Sequence, residues 1–251
     1  MKKSMRFFVI GLLALLVLPF FAFSAGGGGI IDWGIGHNDK NRVPNPPDGA
    51  ITLLEKYNGK FVQDTSEKKF YFTFDLGYEA GYTAEVLDIL KQHNITAVFF
   101  LCGHYLNETE LVNRIITEGH IIGNHTDKHK DLPKLNKEDI KKDITDFQDL
   151  AIQKFNITPT LFRPPKGRIC EKSMSVVNDC GLKTIMWSNA IIDWGKTPID
   201  ANKNCNLILK RLHPGTIMLF HITNSSMPNL IRMVIDGLSS QGYSVGCASE
   251  L

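Results

Sequence analysis

The strongest constraint on this chain is an alternation of apolar strand-like runs and amphipathic helical stretches that continues from Lys69 almost to the C-terminus. Lys69 to Phe74 runs into Phe-Tyr-Phe-Thr-Phe and reads as a buried strand. Thr83 to His93 then shows helical spacing at Val86, Leu87 and Leu90, and Ala97 to Leu101 is a short apolar strand. A helix follows over Glu108 to Glu118, with Asn107 as N-cap and Gly119 at its end. Ile121 to Gly123 is the third strand. Asn136 caps a long amphipathic helix to about Phe155, with Ile140, Ile144, Phe147 and Leu150 on one face. Beyond it the chain predicts strands at Leu161-Phe162, Thr184 to Trp187, Thr216 to Phe220 and Tyr243 to Cys247. Helices are predicted over Glu171 to Cys180, Ala201 to Leu212, and a last one to about Ser239 with Pro228 at its first position. Such repeats build a mainly parallel sheet with helices outside, and their number suits an α/β fold, a distorted or incomplete (β/α) barrel.

What precedes the alternation is of a different kind. Lys2, Lys3 and Arg6 stand before an unbroken apolar run from Phe7 to Phe23, followed by Ser24-Ala25 and four glycines. Residues 1–25 therefore read as a secretory signal, or alternatively as a retained membrane anchor, and the rest of the chain as exported. Residues 26–68 form an irregular lead-in, rich in Gly, Asn and Pro, with a short helix at Ile51 to Tyr57. Residues 69–251 form a single domain. A formal net charge of +2, with no Lys/Arg run interleaved with aromatics, gives no support for a nucleic-acid partner. Five cysteines at irregular spacing do not form a disulfide framework, and Cys170–Cys180 is the only close pair. Cys102 and Cys180 fall in segments that read as buried, where a thiol acts as a small apolar side chain. A monomer is the expectation.

In barrels of this kind chemistry gathers where strands end. The first strand ends at Asp75, the third at His125, the fourth at Arg163; the fifth leads to Asp193 and the sixth ends at His221. Five ionisable groups at successive strand exits mark a site rather than a solvated surface. Asp75 suits a general base or a metal ligand, and His221 a general acid whose pKa and tautomer Asp193 would set. Arg163, before the rigid Pro164-Pro165, can hold a carboxylate through its planar fork. In Asn124-His125-Thr126-Asp127-Lys128-His129 two imidazoles four residues apart can face one divalent metal, from a helical turn or a turn-like loop. The same spacing also arises on solvated helix faces. Metal, base and acid together suit acyl-bond hydrolysis by a metal-polarised water. The other histidines have plainer readings: His120 as a structural hydrogen-bonder, His213 facing the last carbonyls of its helix, and His37 and His93 exposed. His104 either lines the cleft or does not. Trp187 and Trp194 either stack on a sugar or fill the core, with Trp194 the better sugar candidate.

Taken together, these residues resemble the polysaccharide deacetylase family (NodB-homology, carbohydrate esterase family 4). The matching stretches are Thr73-Phe74-Asp75-x-Gly77, His125-Thr126-x-x-His129, Arg163-Pro164-Pro165-x-Gly167, Asp193-Trp194 and Leu219-x-His221. The branch that removes acetyl groups from muramic acid on the way to the δ-lactam of spore cortex is closer still. Ile31-Asp32-Trp33-Gly34, Leu53-x-x-Lys56-Tyr57, Tyr78-Glu79-x-Gly81-Tyr82-Thr83 and Glu118-Gly119-His120-Ile121-Ile122-Gly123-Asn124-His125 carry that likeness.

The resemblance implies a distorted (β/α) barrel, Asp75 as base, His221 as acid, Arg163 and Asp193 in support, and a divalent metal, zinc for choice, on His125 and His129. It places substrate near Trp194, Tyr78 and Pro165. The implied partner is a peptidoglycan glycan strand, and the implied reaction releases acetate from N-acetylmuramic acid; N-acetylglucosamine in cell wall or chitin-like glycan is the alternative. One position departs. Most of the family has a second aspartate after the first, completing an Asp-His-His triad, and this chain has Leu76 there. Three outcomes follow: metal held by two histidines with water and substrate, Asp75 itself ligating, or a non-catalytic glycan binder.

Overall fold

The computed structural model of the chain describes residues 29–36, 41–195 and 197–251. The signal or anchor segment and His37 lie outside the described residues. In chain order the elements are β1 (Ile31–Asp32), α1 (Ala50–Lys56), β2 (Lys69–Leu76), α2 (Thr83–Gln92), β3 (Val98–Leu101), α3 (Thr109–Thr117) and β4 (Ile121–Asn124). They continue with α4 (Lys137–Phe155), β5 (Leu161–Phe162), β6 (Arg168–Ile169), α5 (Glu171–Asp179), β7 (Lys183–Thr184) and β8 (Asn189–Ala190). The last are α6 (Ala201–Lys210), β9 (Thr216–Phe220), α7 (Met227–Ser240) and β10 (Ser244–Val245).

The main sheet runs β7-β5-β4-β3-β2-β9-β8, with β10 added beside β2, and every pairing in it is parallel. This is the curled parallel sheet of an incomplete (β/α) barrel, as expected from the strand–helix alternation. The pleat of β2 divides its residues between two layers. Phe70, Phe72, Phe74 and Leu76 point outward and pack with Leu87, Leu90, Tyr105 and the α7 residues Leu230 and Val234. Phe74 stacks on Phe99 at 4.9 Å and on Phe220 at 5.7 Å, so three neighbouring strands are joined by one aromatic layer. Tyr71 points inward with Val98, Phe100, Ile185 and Ile217, and Thr73 and Asp75 continue that inner face towards the strand exits.

One predicted strand is broken. Thr184 to Trp187 does not run through: β7 ends at Thr184 and β8 starts at Asn189, at opposite ends of the sheet order. The lead-in chain lies along this seam. Lys60 N donates to Thr184 O (2.8 Å) and Met186 N donates to Lys60 O (2.7 Å), while Val62 bridges to Thr216. Farther up, β1 pairs antiparallel with β6, and buried Trp33 packs with Leu53, Leu54, Ile169 and Met186.

Local signals fared unevenly. Asn136 caps α4 as predicted, its Oδ1 accepting from Asp139 N at 2.7 Å. Asn107 does not cap α3: it ends a 3₁₀ turn, Gly103–Asn107, and its side chain instead receives Lys154 Nζ. All five cysteines are free, and Cys180 is only half-buried, whereas Cys102, Cys170 and Cys205 are buried. Among the described residues no helix is long and apolar enough to cross a membrane.

Candidate active site

The five ionisable strand-exit residues converge on one cleft. It has two adjoining lobes of about 480 Å³ and 600 Å³, and Asp75, His125, His129, Trp194 and His221 line both.

Asp75 ends the inner face of β2 and is 7% exposed. Its Oδ1 is held at 2.8 Å by Nη1 of Arg163, whose side chain is fully buried. The same guanidinium donates to Thr73 Oγ1 (2.8 Å), Ile185 O (2.9 Å) and Met186 O (3.2 Å), and it lies 4.1 Å over the Phe100 ring. Four hydrogen bonds and a stacked ring satisfy the fork of a charge that would be very costly to bury alone. Burial pushes the Asp75 carboxyl up. The charge of Arg163, with His221 beyond it, outweighs this and holds the group below its ordinary range, so Asp75 is ionised with Oδ2 left towards the cleft.

Across the cleft, Asp193 is fully buried and takes two bonds from His221. Oδ1 meets Nδ1 at 2.8 Å, and Oδ2 accepts the backbone N–H at 2.7 Å. Burial lowers the His221 pKa, but the Asp193 hydrogen bond and charge prevail and raise it above 6.5. Nδ1 therefore keeps its proton and Nε2 becomes the donor facing the cleft.

The two metal-type histidines sit on a loop rather than a helical turn. Thr126 (φ 65) and His129 (φ 52) are both left-handed, a conformation non-glycine residues keep only when held. Here they are held: Asn124 Oδ1 accepts Thr126 N (2.7 Å), Asn124 Nδ2 donates to Ile144 O (3.0 Å), and Thr126 Oγ1 accepts His129 N (2.9 Å). From α4, Asp143 takes the Lys128 N–H at 2.8 Å.

The His125 ring is buried, and its Nδ1 donates to Arg163 O at 2.7 Å, leaving Nε2 with its lone pair towards the cleft, 3.6 Å from Asp75 Oδ2. Burial pushes its pKa down to about 4, so that contact is not an ion pair. His129 is exposed on the cleft wall and is likewise pushed down by desolvation. Neutral imidazoles 5.0 Å apart, one with its tautomer fixed by a carbonyl, suit a divalent ion. Among the described residues the third donor that converges on them is not a carboxylate but the Cys102 thiol; the three ligand atoms lie within 4.8 Å of one another.

Of the predicted substrate contacts, Trp194 (63% exposed) and Tyr78 (56% exposed) stand at the cleft rim. Pro165 does not face the cleft. It is buried in a 3₁₀ turn, and the left-handed Lys166 (φ 61) that follows puts Lys166 and Gly167 on the wall in its place. Trp187 is a wall residue as well, buttressed by Trp33, whose Nε1 donates to Trp187 O at 3.1 Å. Gly167 fits under it because a Cβ there would come 2.6 Å from the Trp187 ring.

His104 lines a separate hollow beyond His129, not the cleft. His120 is the structural hydrogen-bonder expected, its Nδ1 accepting from Ala97 N at 3.1 Å, and His93 is exposed. His213 is buried and its Nδ1 bonds the carbonyl of Pro214, not the helix-end carbonyls predicted for it. Sequence reasoning missed three roles: Thr73 as a partner of Arg163, Lys166 on the wall, and Thr223, whose buried hydroxyl lines the second lobe without a partner. Only Thr73 carried a signal, since period-2 alternation puts it on the face of Asp75.

The profile of the family described as Polysaccharide deacetylase matches residues 62–185. The peptidoglycan-N-acetylmuramic acid deacetylase PdaA of Bacillus subtilis is 33% identical over 224 residues, 88% of this chain and 85% of that protein. The solved structure of Bacillus subtilis PdaA, a family 4 carbohydrate esterase, superposes with a TM-score of 0.84 at 32% identity, covering 88% of this chain and 96% of that one. A peptidoglycan-N-acetylglucosamine deacetylase of Bacillus cereus is 33% identical over 174 residues, 69% of this chain and 62% of that protein. BA3943 of Bacillus anthracis, a family 4 pseudoenzyme, gives a TM-score of 0.71 at 26% identity, over 76% of this chain and 67% of that one. With Asp75, His125, His129, Arg163, Asp193 and His221 assembled around one cleft on that fold, the chain belongs to the polysaccharide deacetylase family, hydrolases of amide bonds.

Proposed function

We propose that this chain removes the acetyl group from N-acetylmuramic acid in peptidoglycan, releasing acetate and leaving a free amine that can close on the lactyl carboxyl as the δ-lactam of spore cortex. The observation that carries the reading is the opposed pair in one cleft: an ionised Asp75 held by Arg163, and a His221 whose proton Asp193 holds. Likeness to PdaA over most of both chains supports muramic acid as the sugar. A divalent ion, zinc by the chemistry of the imidazole donors, would polarise the acetyl carbonyl and the attacking water. Asp75 takes the water's proton at Oδ2, because Oδ1 is committed to Arg163. His221 Nε2 gives a proton to the departing nitrogen, which an amide needs because its anion is a very poor leaving group. Each proton transfer is worth about 10²–10⁴ in rate. Trp194 and Tyr78 offer aromatic faces to the sugar, and Trp187 with Lys166 forms the opposite wall. The apolar run before residue 25 supports an exported enzyme acting outside the cytoplasmic membrane, with that run cleaved as a signal or kept as an anchor.

The test is acetate release from peptide-stripped peptidoglycan, with and without added zinc, followed by identification of the deacetylated sugar. Muramic acid or its lactam is expected; glucosamine would move the activity to the N-acetylglucosamine reading. Leu76, which offers no ligand atom, favours a second reading as a non-catalytic glycan binder. That reading predicts glycan binding without acetate release and no effect of Asp75→Asn.

A further inference from the structure

Leu76 is 1% exposed and packs into the outer apolar layer with Tyr105, on the face of β2 opposite to Asp75. It offers the histidine pair no ligand atom, and the one donor of β2 near them is Asp75 Oδ2, which the base needs. The next strand supplies one. Leu101 pairs with Leu76 across β2 and β3, and Cys102 follows directly, its N–H bonded to Leu76 O at 3.0 Å. This places the thiol at the exit of β3, where its sulfur and one ring nitrogen from each of His125 and His129 lie within 4.8 Å of one another.

Ligand atoms on tetrahedral zinc sit roughly 3.5 Å apart, as bond lengths of about 2.0–2.3 Å require, so modest side-chain rotation closes this set onto an ion. The sulfur has little to give up, since its one bond is a weak 3.5 Å contact to His125 O. It is also reachable: Cys102 and His129 both line the hollow of about 460 Å³ beside the cleft. Of the carboxylates nearby, Asp127 Oδ2 is held by Lys128 Nζ at 2.8 Å and Asp75 Oδ1 by Arg163, while Asp75 Oδ2 approaches His125 at 3.6 Å but does not join the set that His125, His129 and Cys102 form.

We infer that Cys102 is the third protein ligand of the metal, giving a His125–His129–Cys102 set, an assignment that rests on reading the histidine pair as a metal seat. Binding exchanges the thiol S–H bond for a sulfur–metal bond, with the proton released to solvent and no change of oxidation state. A thiolate makes the seat softer than a carboxylate would, so it favours zinc, cadmium and cobalt over magnesium and manganese. It also places one more negative charge on the ion, while Asp75 remains free to act as base.

The test is titration of the purified protein with cobalt(II), read by absorption spectroscopy. Wild type is expected to show the visible bands of a four- or five-coordinate ion together with a near-ultraviolet sulfur-to-cobalt charge-transfer band. Cys102→Ser and Cys102→Ala should each lose that charge-transfer band. Their zinc affinity, measured by competition with a chromophoric chelator, should fall by at least the roughly 10–100-fold that follows loss of a supporting contact. Using both variants guards against a misfolded one, and circular dichroism confirms the fold of each. Cobalt bound without the charge-transfer band, or a band that survives in both variants, overturns Cys102 as ligand and leaves the two-histidine seat standing. No cobalt or zinc bound by wild type overturns the assignment and the metal-dependent reading with it.

Discussion

Nδ1 of His125 donates to the backbone carbonyl of Arg163 at 2.7 Å, while the side chain of that same arginine holds the Asp75 carboxylate. One residue thus fixes the tautomer of His125 with its main chain and the orientation of Asp75 with its guanidinium.

The two roles separate on mutation. Arg163→Met keeps the carbonyl, so zinc affinity should change little, while acetate release falls about 10²-fold or more because Asp75 loses its partner. Stability should drop by about 3–5 kcal/mol, the usual result of breaking a buried pair. Denaturant unfolding and zinc competition on the same variant check this; a loss of zinc affinity as large as the loss of rate would show that the roles are not separable.

The pH profile follows from the two opposed groups. Asp75 sits below its ordinary 3.8, so it is ionised throughout the neutral range. His221 is raised above 6.5 and must be protonated to act, so kcat/KM is lost as pH rises through that higher value. Asp193→Asn removes the charge that raises it, and the alkaline limb should move to lower pH with a lower plateau. An unmoved limb would assign it to another group.

The rim aromatics report on sugar binding. Trp194→Ala and Tyr78→Ala remove exposed rings and should leave the melting temperature unchanged. KM for glycan should rise by up to about tenfold, in line with roughly 0.5–1.5 kcal/mol per aromatic contact. A fall in kcat at constant KM would place these rings at the reacting atoms instead.

The left-handed histidine loop depends on Asn124. Asn124→Ala strands the Thr126 N–H in a buried place, costing about 1–3 kcal/mol, and removes the tie to the Ile144 carbonyl of α4. Zinc affinity should fall about 10–100-fold although no ligand is touched. Isothermal titration with zinc measures it; unchanged affinity would show that the loop holds its shape without this side chain.

Much of this was legible beforehand for a definite reason. Parallel strands alternate with helices, so the last polar residue of each apolar run is forced to the same rim, and Asp75, His125, Arg163, Asp193 and His221 could be placed together without coordinates. The unread parts depend on contacts distant in sequence. His125 and His129 sit on a loop because Asn124 and Asp143 bond its backbone, which a four-residue spacing does not reveal. Pro165 reads as a wall residue until the left-handed Lys166 turns the chain. Cys102 reads as one more small apolar residue at a strand end, and only the register of β3 against β2 and β4 brings it to the histidines.

The seam between β7 and β8 has a further effect. A curled sheet that stops short of closure exposes a row of unpaired backbone groups on which strands of other molecules can grow. Here Lys60 occupies that row beside Thr184 and Met186, and Val62 continues it to Thr216. The lead-in thus occupies this border from within the same molecule, so the backbone groups it pairs are not open to a strand from another chain.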